Sequence, residues 1–309
     1  MSDTHVYDMI VVGGGPGGYT AALYAARAGL DTLVLEKLSA GGQLALTDVI
    51  DNYPGYEEGI DGFTLGEKMQ QQAQRFGART EYAQVERADL TASPKVLHTS
   101  EGDFYARTVA LATGADPRQL GLENEAALTG RGVAYCAACD GMRYKGKTVV
   151  VVGGGNSAAE DALLLSRIAE KVILVHRRDT LRATKVYHQP LMDAENVEFR
   201  WNSTVTELLH DDKLTGVKLR DVNTGEETLL PCDGLFVSVG RKPATQLAES
   251  QLELDGSGYI VADETTKTSV PGVYAVGDVR TKPLRQVVTA VADGAMAVHM
   301  AEEYLAGGA

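Results

Sequence analysis

Two stretches of the chain repeat one pattern, in which an apolar strand leads through a glycine-rich turn into a helix and then a second apolar strand. In the first stretch these segments are Met9–Val12, Gly13–Gly18, Tyr19–Ala28 and Thr32–Leu35; in the second they are Val149–Val152, Gly153–Ala158, a helix through Leu163 to Ile168, and Val172–Val175. Strands without polar positions are typical of parallel sheets that are covered on both faces. The pattern therefore predicts two strand–helix–strand units of the same design.

Three further apolar strands indicate the order of the domains. Val109–Gly114 and Gly234–Gly240 close the two units, and Gly272–Asp278 comes after the second unit. Because this last strand follows the second unit, we expect the chain to return to the first domain. The crossings are expected at 115–117 and 243–245, where prolines favour turns.

The sequence thus predicts an α/β fold of two Rossmann-like, three-layer domains. Residues 1–115 and 246–309 form a discontinuous first domain, and residues 116–245 form a second domain that is inserted into it. A chain of 309 residues is long enough to give each domain its own core. Folds of this class bind dinucleotides at the carboxyl ends of their strands.

The composition argues against several other classes of protein. The net charge is −13 and no basic stripe offsets it, so we expect no nucleic-acid partner. No apolar run reaches the roughly 18–20 residues that cross a bilayer, and the acidic start, Met1–Asp8, resembles neither a signal nor a transit peptide. Three cysteines cannot build a secreted disulfide framework, which favours a cytoplasmic protein.

The first turn matches the dinucleotide-binding fingerprint. Gly13 permits the tight turn, Gly15 lets the backbone approach a pyrophosphate, and Gly18 lets helix and strand pack closely. The pyrophosphate then lies at the helix N-terminus, where unpaired N–H groups and the helix dipole favour an anion. Glu36, at the end of the second strand, is placed to accept hydrogen bonds from ribose hydroxyls. We therefore predict a nucleotide site rather than a plain glycine-rich turn.

The second turn differs from the first at its reading position. Ala158 replaces the last glycine, which is an accepted variant, and His176 stands where the first copy has Glu36. Basic residues follow it, namely Arg177, Arg178 and Arg182. Guanidinium groups chelate a phosphate through two hydrogen bonds, so this change favours a nucleotide with a 2′-phosphate, NADPH, over NADH. The alternative is a solvated basic turn.

A pair of cysteines, Cys136 and Cys139, lies between the two turns. Their spacing allows one thiolate to attack a disulfide and the other to resolve the mixed disulfide, which favours a redox role. The alternatives are two inert thiols or a structural zinc site, but zinc needs four ligands and no histidine pair has ligand spacing. Asp140 is placed either to move protons between thiols and solvent or to cap a helix. The third cysteine, Cys232, precedes an apolar strand and is predicted to be a core residue.

From Tyr7 to its C-terminus the chain resembles the low-molecular-weight thioredoxin reductases of the bacterial type. The motifs that carry the resemblance are Gly13–Gly18, Gly41–Leu44, Ala112–Ala115, Cys136–Gly141, Gly153–Glu160, His176–Arg178 with Arg182, and Gly277–Val279 with Arg285 and Gln286. The resemblance implies a flavoprotein that passes electrons from NADPH through FAD and the Cys136/Cys139 disulfide to oxidised thioredoxin. It also implies a homodimer built on the FAD domains.

The resemblance further implies a set of site residues. The candidate FAD-binding residues are Gly13, Gly15, Pro16, Gly18, Glu36, Gly42, Gln43, Asn52, Val85, Gly114, Gly277, Asp278, Arg285 and Gln286. The candidate NADPH-binding residues are Gly153, Gly155, Asn156, Ser157, Ala158, His176, Arg177, Arg178 and Arg182. Cys139 is implied to face the flavin and Cys136 to attack thioredoxin, with Asp140 as the third catalytic residue. No metal is expected.

The chain departs from the family pattern beside the cysteines. Ala137 and Ala138 stand where Ala-Thr is usual, and Met142 and Arg143 stand where two aromatic residues commonly help to dock thioredoxin. The second departure leaves the identity of the thioredoxin open. Two other functions are alternatives: a ferredoxin-dependent or other small-protein disulfide reductase of the same fold, which would not need the three arginines, and a redox-sensing nucleotide-binding module without turnover.

Overall fold

The computed structural model describes residues 5–47 and 49–307, so the prediction made for Met1–Asp8 falls partly outside the described residues. The chain divides into two compact units. Unit 1 consists of Met1–Asp116 and Lys242–Ala309, and unit 2 consists of Pro117–Arg241.

Helices and strands alternate through both units. The α-helices are α1 (Pro16–Arg27), α2 (Gly62–Arg75), α3 (Ala137–Asp140), α4 (Asn156–Ser166), α5 (His188–Met192) and α6 (Val287–Leu305). The strands are β1 (Val6–Val12), β2 (Thr32–Glu36), β3 (Arg79–Tyr82), β4 (Val85–Asp89), β5 (Lys95–Thr99), β6 (Gly102–Leu111), β7 (Ala115–Pro117), β8 (Val133–Ala134), β9 (Thr148–Val152), β10 (Lys171–Val175), β11 (Val197–Arg200), β12 (Ser203–His210), β13 (Leu214–Asp221), β14 (Glu227–Pro231), β15 (Gly234–Val237), β16 (Arg241–Pro243) and β17 (Val273–Ala275). Single 3₁₀ turns lie at Gly42–Leu46, Gly141–Tyr144, Lys185–Tyr187 and Gly277–Val279. Among the described residues no helix is both long and apolar enough to cross a membrane.

Unit 1 is built around a largely parallel sheet in the order β3-β2-β1-β6-β5-β4, with β17 also paired to β6. Strand β1 pairs in parallel with β2 and β6, whereas β4, β5 and β6 pair antiparallel. Met9 and Val11 enter one apolar cluster, which also contains α1 and α6 residues, and Ile10 and Val12 enter another. Because successive strand residues point to opposite faces, the apolar part of β1, Met9–Val12, is buried on both sides, as its sequence predicts.

Unit 2 repeats this design with an all-parallel sheet in the order β11-β10-β9-β15-β8. Val149 and Val151 pack in one cluster, together with apolar residues of α4, and Val150 and Val152 pack in another. Strands β12, β13 and β14 form an antiparallel meander beside this sheet. The predicted α/β class with two parallel-sheet, Rossmann-like domains is confirmed.

The bounds of some elements differ from the prediction. Helix α1 begins at Pro16 rather than Tyr19, because proline at the first helical position needs no acceptor for the N–H that it lacks. Strand β6 ends at Leu111 and β15 at Val237, so the glycines that follow them belong to loops. In each case the apolar run continues past the last residue that pairs in the sheet.

Candidate functional site

The first glycine turn has the geometry that the fingerprint requires. Gly13 has φ +104°, and a Cβ there would lie 2.5 Å from the carbonyl oxygen of Ala112. A Cβ on Gly18 would lie 1.9 Å from the carbonyl oxygen of Gly13, so helix and strand touch through backbone alone. Around Gly15, the N-cap of α1, the nearest atom to such a Cβ is 4.0 Å away. The turn is therefore closely packed at Gly13 and Gly18 and leaves free space at Gly15, where the backbone must approach a pyrophosphate.

The side chain of Glu36 packs against the first turn at Gly14. Its carboxylate is buried and accepts hydrogen bonds from the backbone N–H groups of Gly14, Lys37 and Leu38, the last two at 2.8 and 3.2 Å. Three backbone donors fix the orientation of the carboxylate at the C-terminal end of β2. The two carboxylate oxygens can accept a further hydrogen bond, which suits a ribose hydroxyl as donor.

Other candidate FAD-binding residues cluster around the first turn. The Cα of Gly15 lies 3.7 Å from the position of a Cβ on Gly42, so these two backbones approach closely. Gln43 donates to the carbonyl oxygen of Ala115 at 2.7 Å. Asn52 donates to Oε1 of Gln286 at 2.9 Å, which joins two predicted FAD contacts that are far apart in the sequence.

The remaining candidates of unit 1 are placed as follows. Gly114 has φ +75° and follows β6. Arg285 donates to the carbonyl oxygen of Asp278 at 3.5 Å, and its guanidinium lies 4.0 Å from the ring centroid of Tyr259. Val85 begins β4 and packs against the apolar cluster that contains Val12 and Leu35, the ends of the two strands beside the turn.

Sequence reasoning missed the group that holds the turn at Gly277. The buried carboxylate of Asp293 in α6 accepts from the N–H of Gly277 at 2.8 Å. It also forms ion pairs with Arg280 and Lys282, both at 2.7 Å. A single acid within the mostly apolar first half of α6 was the signal that could have identified it.

The second glycine turn, in unit 2, is tight and open at the corresponding places. A Cβ on Gly153 would lie 2.4 Å from the carbonyl oxygen of Ser238 and 2.7 Å from Cβ of the fully buried Ala158. Gly155, the N-cap of α4, has no neighbouring atom within 4 Å of such a Cβ among the described residues. This opening fits the pyrophosphate of a second nucleotide.

His176 occupies the reading position of the second turn. Its ring is 5% exposed and lies so close to Gly154 that a Cβ there would be 2.2 Å from it. Burial, and then the nearby arginines, lower the pKa of the ring, so it is neutral at physiological pH. Within the described part of the chain its Nε2 has no hydrogen-bond partner. A buried polar atom without a partner is rare and fits a site that a ligand completes.

The three arginines after His176 present their side chains to solvent. Arg177, Arg178 and Arg182 are exposed, and none forms an ion pair with another described residue. The backbone N–H of Arg182 donates to the carbonyl oxygen of Gly154 at 2.7 Å, which holds its loop against the turn. Asn156 accepts from the N–H of Thr184 at 2.8 Å, and Ser157 is exposed beside it at the start of α4. The loop therefore offers cationic side chains that fit a phosphate.

Cys136 and Cys139 form a disulfide with a Cα–Cα distance of 5.3 Å. Cys136 is the N-cap of α3, and its carbonyl oxygen accepts the N–H groups of Cys139 at 3.2 Å and Asp140 at 3.0 Å. Both cysteines are half-buried, so the disulfide lies at the surface of unit 2. Asp140 ends α3, and its carboxylate is 3.8 Å from the guanidinium of Arg143. It is thus not the N-cap of α3; it is the N-cap residue of the following 3₁₀ turn, Gly141–Tyr144, where its side chain makes no capping hydrogen bond.

The alternatives to a redox pair find little support in the structure. No group of acidic, histidine or cysteine side chains among the described residues could hold a metal ion. Cys232 is 5% exposed and packs in an apolar cluster of unit 2, which confirms that it is a core residue. Its burial raises the pKa of the thiol to about 12, so it stays protonated and unreactive.

Comparison with known proteins agrees with this arrangement. The model of the pyridine nucleotide-disulphide oxidoreductase family matches residues 7–294. The chain is 44% identical over 299 residues to the thioredoxin reductase of Treponema pallidum, covering 97% of each chain. It is 46% identical over 309 residues to that of Streptomyces clavuligerus, covering 99% of this chain and 95% of the other. The crystal structure of thioredoxin reductase from Streptococcus pyogenes superposes with a TM-score of 0.91 at 41% identity, covering 98% and 99% of the two chains.

The chain therefore belongs to the pyridine nucleotide-disulphide oxidoreductase family, and within it to the thioredoxin reductases. Membership implies a flavoprotein oxidoreductase that uses FAD and a pyridine nucleotide. The residues of both turns fit such groups, because each turn is open where a pyrophosphate would lie and closed everywhere else.

Proposed function

We propose that the protein is an NADPH-dependent thioredoxin-disulfide reductase in which Cys136 and Cys139 reduce the disulfide of thioredoxin. The observation that carries the proposal is the half-exposed Cys136–Cys139 disulfide in a unit that also contains a nucleotide-binding turn. When bound, FAD accepts a hydride from the pyridine nucleotide and supplies two electrons to this disulfide. The first turn would hold it, together with residues outside the turn that include Glu36, Gln43, Asn52 and Gln286.

The cysteine chemistry follows from thiol–disulfide exchange. The reduced pair carries two thiols, and the Cys136 thiolate attacks one sulfur of oxidised thioredoxin. An S–S bond forms between the two proteins, and the other thioredoxin sulfur leaves as a thiolate. Cys139 then attacks Cys136, which re-forms the internal disulfide and releases dithiol thioredoxin. Asp140, the residue after Cys139, is proposed to exchange protons between the thiols and solvent.

The exposed arginines support NADPH as the nucleotide. Arg177, Arg178 and Arg182 form no ion pairs with other described residues, so a 2′-phosphate would not have to displace a carboxylate. At the equivalent position of the first turn, Glu36 would repel the same phosphate. The same arginines argue against the ferredoxin-dependent alternative, which needs no nucleotide at this place.

Two surface features bear on the partners. Met142 is 57% exposed and Arg143 lies next to it, directly after the redox helix, so this loop is proposed to meet thioredoxin. Arg143 would favour a thioredoxin with an acidic rim.

In unit 1, Tyr24, Phe63 and Phe76 expose large apolar side chains on or beside α1 and α2, which supports the proposed homodimer. The cysteine usage supports a reducing compartment, the cytoplasm.

Trapping the intermediate tests the proposal directly. Cys139→Ser should form a disulfide-linked complex with a single-cysteine thioredoxin whose thiol has been activated as a mixed disulfide with thionitrobenzoate, because the Cys136 thiolate displaces thionitrobenzoate and no second thiol then releases Cys136. Cys136→Ser should form none, and both variants should lose NADPH-dependent thioredoxin reduction. Cys232→Ser is the matched control and should keep the activity, since that thiol is buried. A complex with Cys136→Ser instead would reverse the two roles, and wild-type protein that reduces no thioredoxin would refute the function.

A further inference from the structure

A buried acid of unit 2, outside the predicted site, accepts four hydrogen bonds. The carboxylate of Glu125 is 2% exposed and accepts from three successive backbone N–H groups, those of Leu120 at 2.9 Å, Gly121 at 2.8 Å and Leu122 at 3.2 Å. The fourth donor is the hydroxyl of Tyr135, at 2.9 Å. Burying a carboxylate is costly unless its oxygens are hydrogen-bonded, and four donors satisfy its acceptor positions. Glu125 therefore fixes Tyr135 to the turn at the start of unit 2.

Tyr135 lies at the point where the backbone leading to the redox pair leaves the sheet. Strand β8 pairs with β15 through Val133 and Ala134, and Tyr135 and Cys136 follow directly. The half-buried Tyr135 packs against an apolar cluster of unit 2. Burial, followed by the hydrogen bond to Glu125, raises the pKa of its hydroxyl, so the group stays a donor. The side chain of Tyr135 thus holds the chain one residue beyond the last strand pairing and one residue before the first cysteine.

The opposite end of the redox helix is held by different contacts. A Cβ on Gly141, just after α3, would lie 3.3 Å from the side chain of Leu165 and 3.5 Å from that of Ile168, so this end of α3 packs on α4 and the residues after it. Within α3 the carbonyl oxygen of Cys136 accepts the N–H of Cys139 at 3.2 Å. Each cysteine is therefore anchored from its own side. Holding two reacting groups together raises their effective concentration, which favours the disulfide over the open dithiol.

We propose that Glu125 is a positioning residue for the redox pair, which acts through the hydroxyl of Tyr135 to keep the thiol of Cys136 beside its partner in the reduced protein. This inference rests on the proposed redox function of the pair. Loss of the contact gives the reduced segment more conformational freedom, whereas the S–S bond itself still constrains the oxidised segment. The equilibrium between the two forms should then shift towards the dithiol.

The test measures this equilibrium in the full-length, flavin-loaded protein. The protein is equilibrated without oxygen at neutral pH in mixtures of reduced and oxidised dithiothreitol, then quenched with acid and alkylated. Mass spectrometry gives the fraction that retains the Cys136–Cys139 disulfide. In the exchange the S–S bond of the protein breaks, the S–S bond of cyclic dithiothreitol forms, and two electrons and two protons pass to the protein thiols.

Two tyrosine variants form a matched pair. Tyr135→Phe removes a single oxygen and keeps the ring in its apolar cluster. Tyr274→Phe makes the same change in unit 1, where a buried tyrosine hydroxyl donates to the carbonyl oxygen of Met300 at 3.0 Å. Both variants lose one tyrosine hydrogen bond, but only the first loses a contact next to the redox pair. Glu125→Gln removes the charge of the acceptor.

We expect Tyr135→Phe to reach half-reduction at a ratio of reduced to oxidised dithiothreitol about threefold lower than the wild type. This lies within the roughly two- to tenfold that one hydrogen bond contributes to an equilibrium constant. Tyr274→Phe should follow the wild-type curve. Glu125→Gln should shift the curve in the same direction as Tyr135→Phe, and the double variant should shift it by less than the sum, because both changes break one contact.

Coinciding curves for Tyr135→Phe and the wild type would overturn the inference, and so would equal shifts for Tyr135→Phe and Tyr274→Phe. Fully additive shifts in the double variant would show that the two side chains act separately, which also contradicts it. Tyr135→Phe decides the outcome by itself if the buried amide of Glu125→Gln prevents folding. The exchange requires neither NADPH nor thioredoxin, so these outcomes are distinct from a failure of the proposed function.

Discussion

The two glycine turns share one backbone design and differ in the side chain that closes them. In the first turn the carboxylate of Glu36 accepts the N–H of Gly14. In the second the ring of His176 covers Gly154, the residue at the same place in the motif. A Cβ on either glycine would collide with the closing side chain, at 2.7 Å and 2.2 Å respectively. The residue at the end of the second strand is thus part of each turn's packing as well as its predicted nucleotide-reading position.

The difference between the turns lies in where charge is held. Glu36 is buried and bound by three backbone N–H groups, so the first turn presents a fixed acceptor. His176 is buried and neutral, and the charges of the second turn stand on exposed arginines beyond it. A fixed acceptor fits ribose hydroxyls, whereas exposed guanidinium groups fit a phosphate. The two turns thus differ at a single position and in the loop after it, and this difference agrees with the proposal that the first turn holds FAD and the second NADPH.

The largest effect should come from exchanging the last residue of the two motifs. Gly18→Ala places a Cβ 1.9 Å from the Gly13 carbonyl oxygen, so the first turn must open. Overpacking of this kind costs about 1–3 kcal/mol or more, and we expect the purified variant to lose most of its flavin. Ala158→Gly makes the reciprocal change in the second turn and should cost only about 1 kcal/mol. Flavin absorbance per protein and thermal unfolding measure both effects.

If Gly18→Ala kept as much flavin as Ala158→Gly, the first turn would tolerate the added methyl group. The close approach at Gly18 would then be too soft to govern binding. Gly256→Ala is a useful further control, because that glycine, like Gly18, has no positive φ, and no atom of the described chain lies within 4 Å of its Cβ position.

The glycine turns also show how much of the fold the sequence could predict. Apolar runs such as Val149–Val152 and the glycine spacing identify both parallel sheets, because burial on two faces leaves no polar positions. Strand ends were harder to predict, since Val109–Gly114 continues to look like a strand after pairing stops at Leu111. The meander of β12, β13 and β14 carries mixed polar and apolar residues, and no pattern in the sequence identified it.

A smaller effect is expected from the charges of the second turn. Replacing Arg177, Arg178 and Arg182 by glutamine should raise the KM for NADPH about tenfold or more for each charged hydrogen bond that is lost, each being worth roughly 1.5–3 kcal/mol. The KM for NADH should hardly change, because NADH has no 2′-phosphate. Steady-state kinetics with both nucleotides measure the ratio. Arg167→Gln, at the C-terminal end of α4, is the matched control and should leave both values unchanged.

An equal rise for NADPH and NADH would mean that the arginines support the loop and not the phosphate. The comparison of the turns would then rest on Glu36 and His176 alone. Such a result would also remove the main argument against a ferredoxin-dependent reductase.

The site was predictable from sequence only where a motif marks it. The glycines, the cysteines and the arginines carry recognisable spacings, and their geometry fits the proposed roles. Asp293 carries no motif, because it accepts the backbone N–H of Gly277, a residue 16 positions earlier in the chain. Val85 likewise carries no motif, and the pairing of Tyr82 with Glu36 brings this part of the chain beside the end of β2. Contacts between side chains and distant backbone groups depend on the tertiary fold and leave no periodic trace.

The smallest expected effect concerns the pH dependence of stability at His176. Burial and the neighbouring arginines hold the pKa of this ring below its usual value. The unfolded chain protonates the ring as the pH falls below about 6.5, while the folded protein keeps it neutral. Its contribution to stability is therefore fully present above that pH and is lost as the pH falls through the folded-state pKa.

His176→Leu removes this titration and also the buried Nε2 that has no partner among the described residues. Measured by thermal unfolding from pH 7.5 to 5, the melting temperature of the variant should gain on that of the wild type as the pH falls. His299→Gln, an exposed site 64% open to solvent, should run parallel to the wild type. Parallel curves for His176→Leu would mean that the folded protein protonates the ring at the same pH as the unfolded chain does. The second turn would then hold a buried cation where the first holds a buried carboxylate.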